Sequence, residues 1–253
     1  PWSVKALQVQ GGSPLTLSEL QGVYRYGPSE RASAMGVQDL HWLDLKSLTI
    51  AGGTYQAQAM LGAQAPMPLR LDAQGLVQAP VPGGSAVSLD ARAQVIGELA
   101  GADPRFQVQA NAVPSGQRPG TPMLAATALI RPRAAQPLAE ADIRVNRLNL
   151  AAWWPQAPST ELSGTVQARP QGEQWRAEAR LSNGLSGPAD RQRLPLSRLV
   201  AEVEQQGARW QLRQLDATVG DGQLQAQGWF ERDGATPWGR FEGELKASGV
   251  NPQ

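Results

Sequence analysis

Along most of the chain apolar and polar side chains alternate one by one. From Val87 the sequence reads Val87, Leu89, Ala91, Ala93, Val95 on one parity and Ser88, Asp90, Arg92, Gln94 on the other, which is the pattern of a half-buried β-strand. Tyr55, Ala57, Ala59, Leu61 alternate with Gln56 and Gln58 in the same way. Phe106, Val108, Ala110, Ala112 alternate with Arg105, Gln107, Gln109, Asn111, and Trp175, Ala177, Ala179, Leu181 alternate with Arg176, Glu178, Arg180. Each run predicts a strand with one greasy face and one wet face. Gly52-Gly53, Gly83-Gly84, Pro170-Gln171-Gly172, Asp221-Gly222 and Asp233-Gly234 lie between such runs, and these residue types supply the positive φ angles of tight hairpins. The expected arrangement is an antiparallel meander.

Prolines cluster at Pro66-Met67-Pro68, at Pro80-Val81-Pro82 and between Pro114 and Pro122. Proline cannot donate to a ladder, so these places read as loops or strand edges, with Val113 to Thr121 as the longest loop. Helix is expected only as short turns, one at Leu150-Ala151-Ala152-Trp153-Trp154 before Pro155 and one between Ser29 and Leu40.

The segment Thr49 to Ala59 (TIAGGTYQAQA) aligns with Thr218 to Gly228 (TVGDGQLQAQG) at five identities in eleven positions. Trp42, Leu45 and Leu48 precede the first copy; Trp210, Leu212 and Leu215 precede the second. The repeated unit reads as strand, glycine-containing turn, strand.

Composition narrows the function. Hydrophobic residues make up 41% of the 253 positions but aromatics only 6%, so the apolar surface is broad and thin. Such a chain coats one face of a long sheet more readily than it fills a thick globular centre. The formal charge is +1, with 23 basic and 22 acidic side chains interspersed, and no basic block exists to neutralise a run of phosphates. Nucleic acid is not an expected partner. There is no cysteine and one histidine, His41, so no thiolate or histidine cluster is available to hold a metal. The carboxylates are scattered over wet strand faces without a pairing that would mark an acid and a base. Phosphate-binding Gly-Lys-Ser/Thr loops and Gly-x-Ser-x-Gly elbows are missing. No catalytic residue, metal or cofactor is expected, and the chain reads as a non-enzyme. Trp153-Trp154 suits an interfacial anchor, a sugar clamp or a plug at the end of a β core, the last being the commoner use. Arg131, Arg133, Arg191 and Arg193 suit either lipid phosphates or plain solvation. The chain opens at Pro1-Trp2 without an initiator Met, a basic leader or about 18 consecutive apolar residues. It is expected to be a piece of a longer protein whose signal or anchor lies elsewhere.

Several words of the sequence occur together in order. They are Leu148-Asn149-Leu150-Ala151-Ala152-Trp153-Trp154-Pro155, then Leu162-Ser163-Gly164-Thr165-Val166, then Ser182-Asn183-Gly184 with Gly187-Pro188, then Leu194-Pro195-Leu196. Trp210-x-Leu212-x-x-Leu215 and Gly220-Asp221-Gly222-x-Leu224-x-Ala226-x-Gly228 follow. This order resembles the TamB family of AsmA-like proteins, the inner-membrane components of the translocation and assembly module. The resemblance covers mainly Leu138 to Asn251, and residues 1–137 join it through the repeat.

The resemblance implies an all-β fold: a long curled antiparallel sheet, a β-taco, with an open hydrophobic concave face and little helix. Residues 1–137 would form one β-meander segment of the groove and residues 138–253 a second, continuous with it. It further implies a periplasmic location in a Gram-negative bacterium, in a parent protein anchored to the inner membrane outside this stretch. The implied work is movement of phospholipids from inner to outer membrane along the groove. The alternative is a scaffold for outer-membrane protein assembly with a TamA-type barrel. Phospholipid acyl chains would be the ligand, and an isolated piece would self-associate to hide its groove. The expected lining is Tyr55, Ala57, Ala59, Leu61, Val87, Leu89, Ala91, Ala93, Val95, Phe106, Val108, Ala110, Ala112, Trp175, Ala177, Ala179 and Leu181, with Trp210, Leu212, Leu224 and Ala226 completing it. Periodicity alone leaves an open groove and a closed sandwich core equally possible; the resemblance favours the groove.

Overall fold

In the computed structural model residues 1–9, 15–50, 53–79, 86–116, 124–134, 136–153, 156–172, 174–231 and 240–250 are described. The turns expected at Gly83-Gly84 and Asp233-Gly234, the Pro80-Val81-Pro82 cluster, Trp154-Pro155 and most of the loop after Ser115 lie outside these residues. Fifteen strands stand in one open antiparallel sheet, in sequence order from first to last. They are β1 (Trp2–Val9), β2 (Leu15–Gly27), β3 (Leu40–Ile50), β4 (Gly53–Gly62), β5 (Pro68–Ala79), β6 (Val87–Glu98), β7 (Arg105–Pro114), β8 (Leu124–Ile130), β9 (Leu138–Leu148), β10 (Leu162–Gln171), β11 (Gln174–Asn183), β12 (Leu196–Gln206), β13 (Arg209–Val219), β14 (Gly222–Glu231) and β15 (Arg240–Ser248). Two short helices, α1 (Glu30–Ala34) and α2 (Leu150–Trp153), occupy the two places where helical turns are expected. Ser29 caps α1, its side chain accepting from the Ala32 backbone N–H, and this satisfies one of the orphan donors at the helix start.

The turn chemistry works through glycines at defined positions. Val219 pairs with Gly222, so the connecting loop is Gly220-Asp221, and the positive φ belongs to Gly220 (+58°). The expectation had placed it on Asp221-Gly222; Gly222 instead opens β14. Gly207 (φ +57°) does the same work between Gln206 and Arg209. A glycine at the first loop position is the II′ signature, whose twist matches that of the flanking strands. Two proline readings also change. Pro170 sits inside β10, opposite Trp175, and β7 runs on through Val113 and Pro114, so the expected loop begins two residues later.

The chain divides into two compact units, residues 1–120 with 127–137, and residues 121–126 with 138–253. In the first unit the most buried apolar side chains are Ala32 (1% exposed) and Leu40 (2%), which lie where α1 covers one end of β3. A Cβ on Gly62 would meet Val37 and Pro68, so that small cluster has no room for a larger side chain. Trp42 beside it is stacked by Arg31 (4.8 Å) and Arg25 (5.3 Å).

In the second unit the matching role falls to polar residues. Asn183, buried, accepts from the Glu161 N–H (2.9 Å) and donates to the carbonyls of Leu196 (3.0 Å) and Leu194 (3.4 Å). Thr160 donates to the Leu148 carbonyl (3.0 Å) and accepts from the Leu150 N–H (2.9 Å). These side chains replace ladder partners that the loops leave unmatched, and a buried amide left unpaired would cost about 1–3 kcal/mol.

Gly164, at a bulge in β10, has φ +153°, and a Cβ there would stand 1.9 Å from the Arg180 carbonyl oxygen. Gly164→Ala is expected to destabilise the second unit by about 2 kcal/mol or more. Gly207→Ala, whose Cβ would meet nothing, should cost only about 1 kcal/mol for its left-handed backbone. Urea unfolding midpoints of the two variants check the order.

Candidate functional site: the uncovered apolar face

Residues directly opposite one another in an antiparallel ladder share a face, so the register assigns every side chain. In the first unit Leu45, Ala57, Ala73, Ala93 and Ala110 form one row across β3 to β7. The next row is Leu48, Tyr55, Gly75, Ala91 and Ala112. On one side of this pair runs Leu43, Ala59, Leu71, Val95, Val108, and on the other Val77, Leu89, Pro114. Successive rows along a strand are about 6.8 Å apart. The face therefore carries a floor of alanine and glycine between walls of branched side chains that stand roughly 20 Å apart.

The second unit has the same organisation with larger residues. Ala141, Ala168, Ala177, Val203, Leu212 and Gly228 form one row, and Ile143, Val166, Ala179, Ala201, Leu215 and Ala226 the next. A wall of Pro170, Trp175, Gln205, Trp210, Phe230 and Phe241 bounds one side. Gly164, Leu181, Leu199, Ala217 and Leu224 bound the other.

The register thus brings the expected lining residues of each unit onto a single face. The expectation omitted β5 and β12, which carry the same parity, and it omitted Leu43, Leu45 and Leu48 of β3. In β3 the alternation breaks between Leu45 and Leu48, because Lys46 and Ser47 form a bulge opposite Gln56. Arg213 and Gln214 break β13 between Leu212 and Leu215 in the same way. The three-residue leucine spacing noted in both repeats is the trace that a bulge leaves in the sequence.

Burial separates the open groove from the closed core. Among the described residues Leu45 and Leu89 of these rows are buried, at 8% and 6% exposure, but the other valines and leucines of the central rows are not, whereas a second layer would bury them almost completely. The alanines at 57, 59, 91, 93, 110, 112, 177 and 179 are half-buried, as are Val95, Val108 and Leu212, and Phe241 is 78% exposed.

The opposite face is wet and laced with side-chain pairs. Arg176 reaches Glu202 at 2.8 Å, Arg213 reaches Glu204 at 2.7 Å and Arg180 reaches Glu178 at 2.9 Å. The arginines are exposed and the carboxylates half-buried, and with one partner in solvent each pair adds at most about 1 kcal/mol. Arg131 and Arg133, weighed above as phosphate ligands, are engaged within the protein. Arg131 binds Asp103 (2.8 Å) and Arg133 donates to the Gly101 carbonyl (2.7 Å). His41 accepts or donates at Nδ1 with the Tyr24 hydroxyl (2.7 Å) and packs against Tyr26. Among the described residues no group of carboxylates and histidines is placed to hold a metal ion, and no helix is long and apolar enough to cross a membrane. No family model, curated protein or solved structure matches the chain.

On the wet face, a hydrogen bond from Gln94 (2.6 Å), with Arg70 adding its own, holds the Asp72 carboxyl below the usual carboxylate range, while partial burial works against it. A lowered native pKa stabilises the fold above the unfolded value of about 3.9, and that contribution is lost as pH falls through the native value. NMR titration of the Asp72 carboxyl should give a midpoint below about 3.9, and Gln94→Ala should move it back upward.

Proposed function

We propose that the apolar face is a lipid-binding surface and that the chain is a segment of a bridge-like conduit for phospholipid acyl chains, as in the TamB family it resembles. The single observation that carries this reading is an apolar face of strand after strand with no layer packed over it. Contiguous exposed apolar patches beyond a few hundred Å2 are rare on soluble monomers and mark surfaces that meet something greasy.

The shape and chemistry of the floor support the acyl chain as occupant. Alanine and glycine leave space above the backbone that leucine or phenylalanine would fill. A row of near-identical small residues offers no deep minimum to trap a sliding chain. Each methylene removed from water gains about 0.8 kcal/mol, so a tail of about sixteen carbons gains on the order of 10 kcal/mol. Transport between the inner and outer membranes of a Gram-negative envelope is the setting that the resemblance supplies, and a scaffold role with a TamA-type barrel is its rival.

Two experiments separate these readings. The chain purified without detergent should carry phospholipid in native mass spectra; lipid-free monomer would count against the conduit. Ala91→Asp, Ala110→Asp and Ala177→Asp place a carboxylate on the floor, where an acyl chain cannot solvate it. With folding verified by circular dichroism, each is expected to abolish lipid co-purification. Gln107→Asp and Arg92→Asp, exposed on the wet face, should change stability by less than about 0.5 kcal/mol and leave lipid binding intact. Equal retention of lipid in both sets would exclude the floor as the binding surface.

A further inference from the structure

The wet face of the first unit contains a hollow of about 600 Å3 that spans β3 to β7, with the Lys46 bulge at one edge, within the size range of small-ligand sites. Its lining is polar apart from Leu45 and three alanines. Some of its groups satisfy one another: Lys46 pairs with Asp44 at 2.6 Å, and Gln94 donates to Asp72. Others do not. The side chains of Gln58, Arg92, Gln109 and Asn111 face the hollow and make no hydrogen bond or ion pair with a described residue.

The second unit contains the same device. Lys46 is the extra residue of β3 against β2, where Gln21 faces Ser47 and Gly22 faces Leu45. Arg213 is the extra residue of β13 against β12, where Glu202 faces Gln214 and Val203 faces Leu212. Across each bulge stands a Gln-x-Gln pair, Gln56 and Gln58 in the first unit, Gln225 and Gln227 in the second. A second hollow, of about 220 Å3, opens there beside Lys246. An extra residue bends its strand and steepens the local twist, and a hollow borders the bulge on the polar side in each unit.

We infer that the first hollow binds a glycan strand carrying acetamido and carboxylate groups. Primary amides present a donor and an acceptor side by side, which matches vicinal hydroxyls and acetamido groups, each of which also offers both. The lining has no aromatic residue, and its leucine and alanines, Leu45, Ala57, Ala73 and Ala93, belong to the first row of the opposite, apolar face, so a greasy ligand gains nothing. Asp44 cancels Lys46, and Asp72 is engaged by Gln94 and Arg70, so Arg92 is left as the cation of the first hollow without a partner; the second hollow carries Asp216 and Glu244 beside Arg213 and Lys246. One cation suits one carboxylate per site and not the dense charge of a nucleic acid. The hollows lie on the face opposite the alanine floor, so the inference stands apart from the lipid reading.

Calorimetric titration of the chain with a hyaluronan hexasaccharide (acetamido and carboxylate) and with chitohexaose (acetamido alone) tests it. The acidic glycan is expected to bind more tightly. Arg92→Gln should weaken it on the order of tenfold, the worth of a hydrogen bond to a charged group, and should leave chitohexaose unchanged. Gln58→Ala should weaken both, and Gln107→Ala, on the same face outside the hollow, neither. Absence of binding by both glycans overturns the inference, as does binding that Gln58→Ala and Arg92→Gln leave untouched. Equal affinity for a sulfated glycan of the same length, lost in moderate salt, would reduce the site to plain charge attraction and overturn it as well.

Discussion

Everything in this molecule depends on the antiparallel ladder, because the described residues form no second layer to share the load. The strands in contact are ladder neighbours, and each inner strand is held by backbone hydrogen bonds on its two sides, the edge strands β1 and β15 on one. In a sandwich a strand that slips register is punished by the opposing sheet. Here the penalty comes from the pleat itself. A one-residue slip would send Ala93 and Val95 into the Gln94 row and turn both faces inside out. Register is therefore fixed by two-residue glycine turns such as Gly207-Ala208 and Gly220-Asp221 and by bulges that admit one pairing only. Stability in such a chain resembles that of repeat architectures, a sum of neighbour terms rather than the property of one core.

That mode of construction leaves two faces free for different work. The apolar face keeps small side chains in its middle rows and bulky ones along the sides, which wastes packing energy that a self-contained domain would use. The polar face is the more cross-linked of the two, through Arg176 with Glu202, Arg213 with Glu204, Arg169 with Glu140 and the Gln94–Asp72 hydrogen bond. Exposed pairs of this kind add little energy singly. The bulges at Lys46 and Arg213 serve both faces at once. They keep leucines on the apolar side across an interruption, and they border hollows on the polar side.

The sequence by itself determined the strands, their antiparallel order and the partition of side chains between faces. A period of two is a local property: it needs only the pleat, and Val87 to Val95 or Trp175 to Leu181 display it without any tertiary information. The short helices were equally local, one resting on the Ser29 cap. The bulges were half visible, because Leu45-x-x-Leu48 and Leu212-x-x-Leu215 violate the period, but a skipped residue has a meaning only when the partner strands are known.

Whether the apolar face was covered could be decided only by the tertiary structure. Alternation is the same in a groove and in a sandwich, since both place apolar residues on one side of each strand, and the difference lies in what stands about 10 Å above them. The incomplete burial of Val95, Val108 and Leu212 answers that for each unit. The same holds for Asn183, which in the sequence is one polar residue in a Ser-Asn-Gly turn. Only the folded chain brings the Glu161 N–H and the carbonyls of Leu194 and Leu196 to its amide. The larger polar hollow was beyond the sequence for the same physical reason: it joins side chains from five strands more than sixty residues apart, and only the register aligns Asp44, Gln58, Asp72, Gln94 and Gln109 in one row.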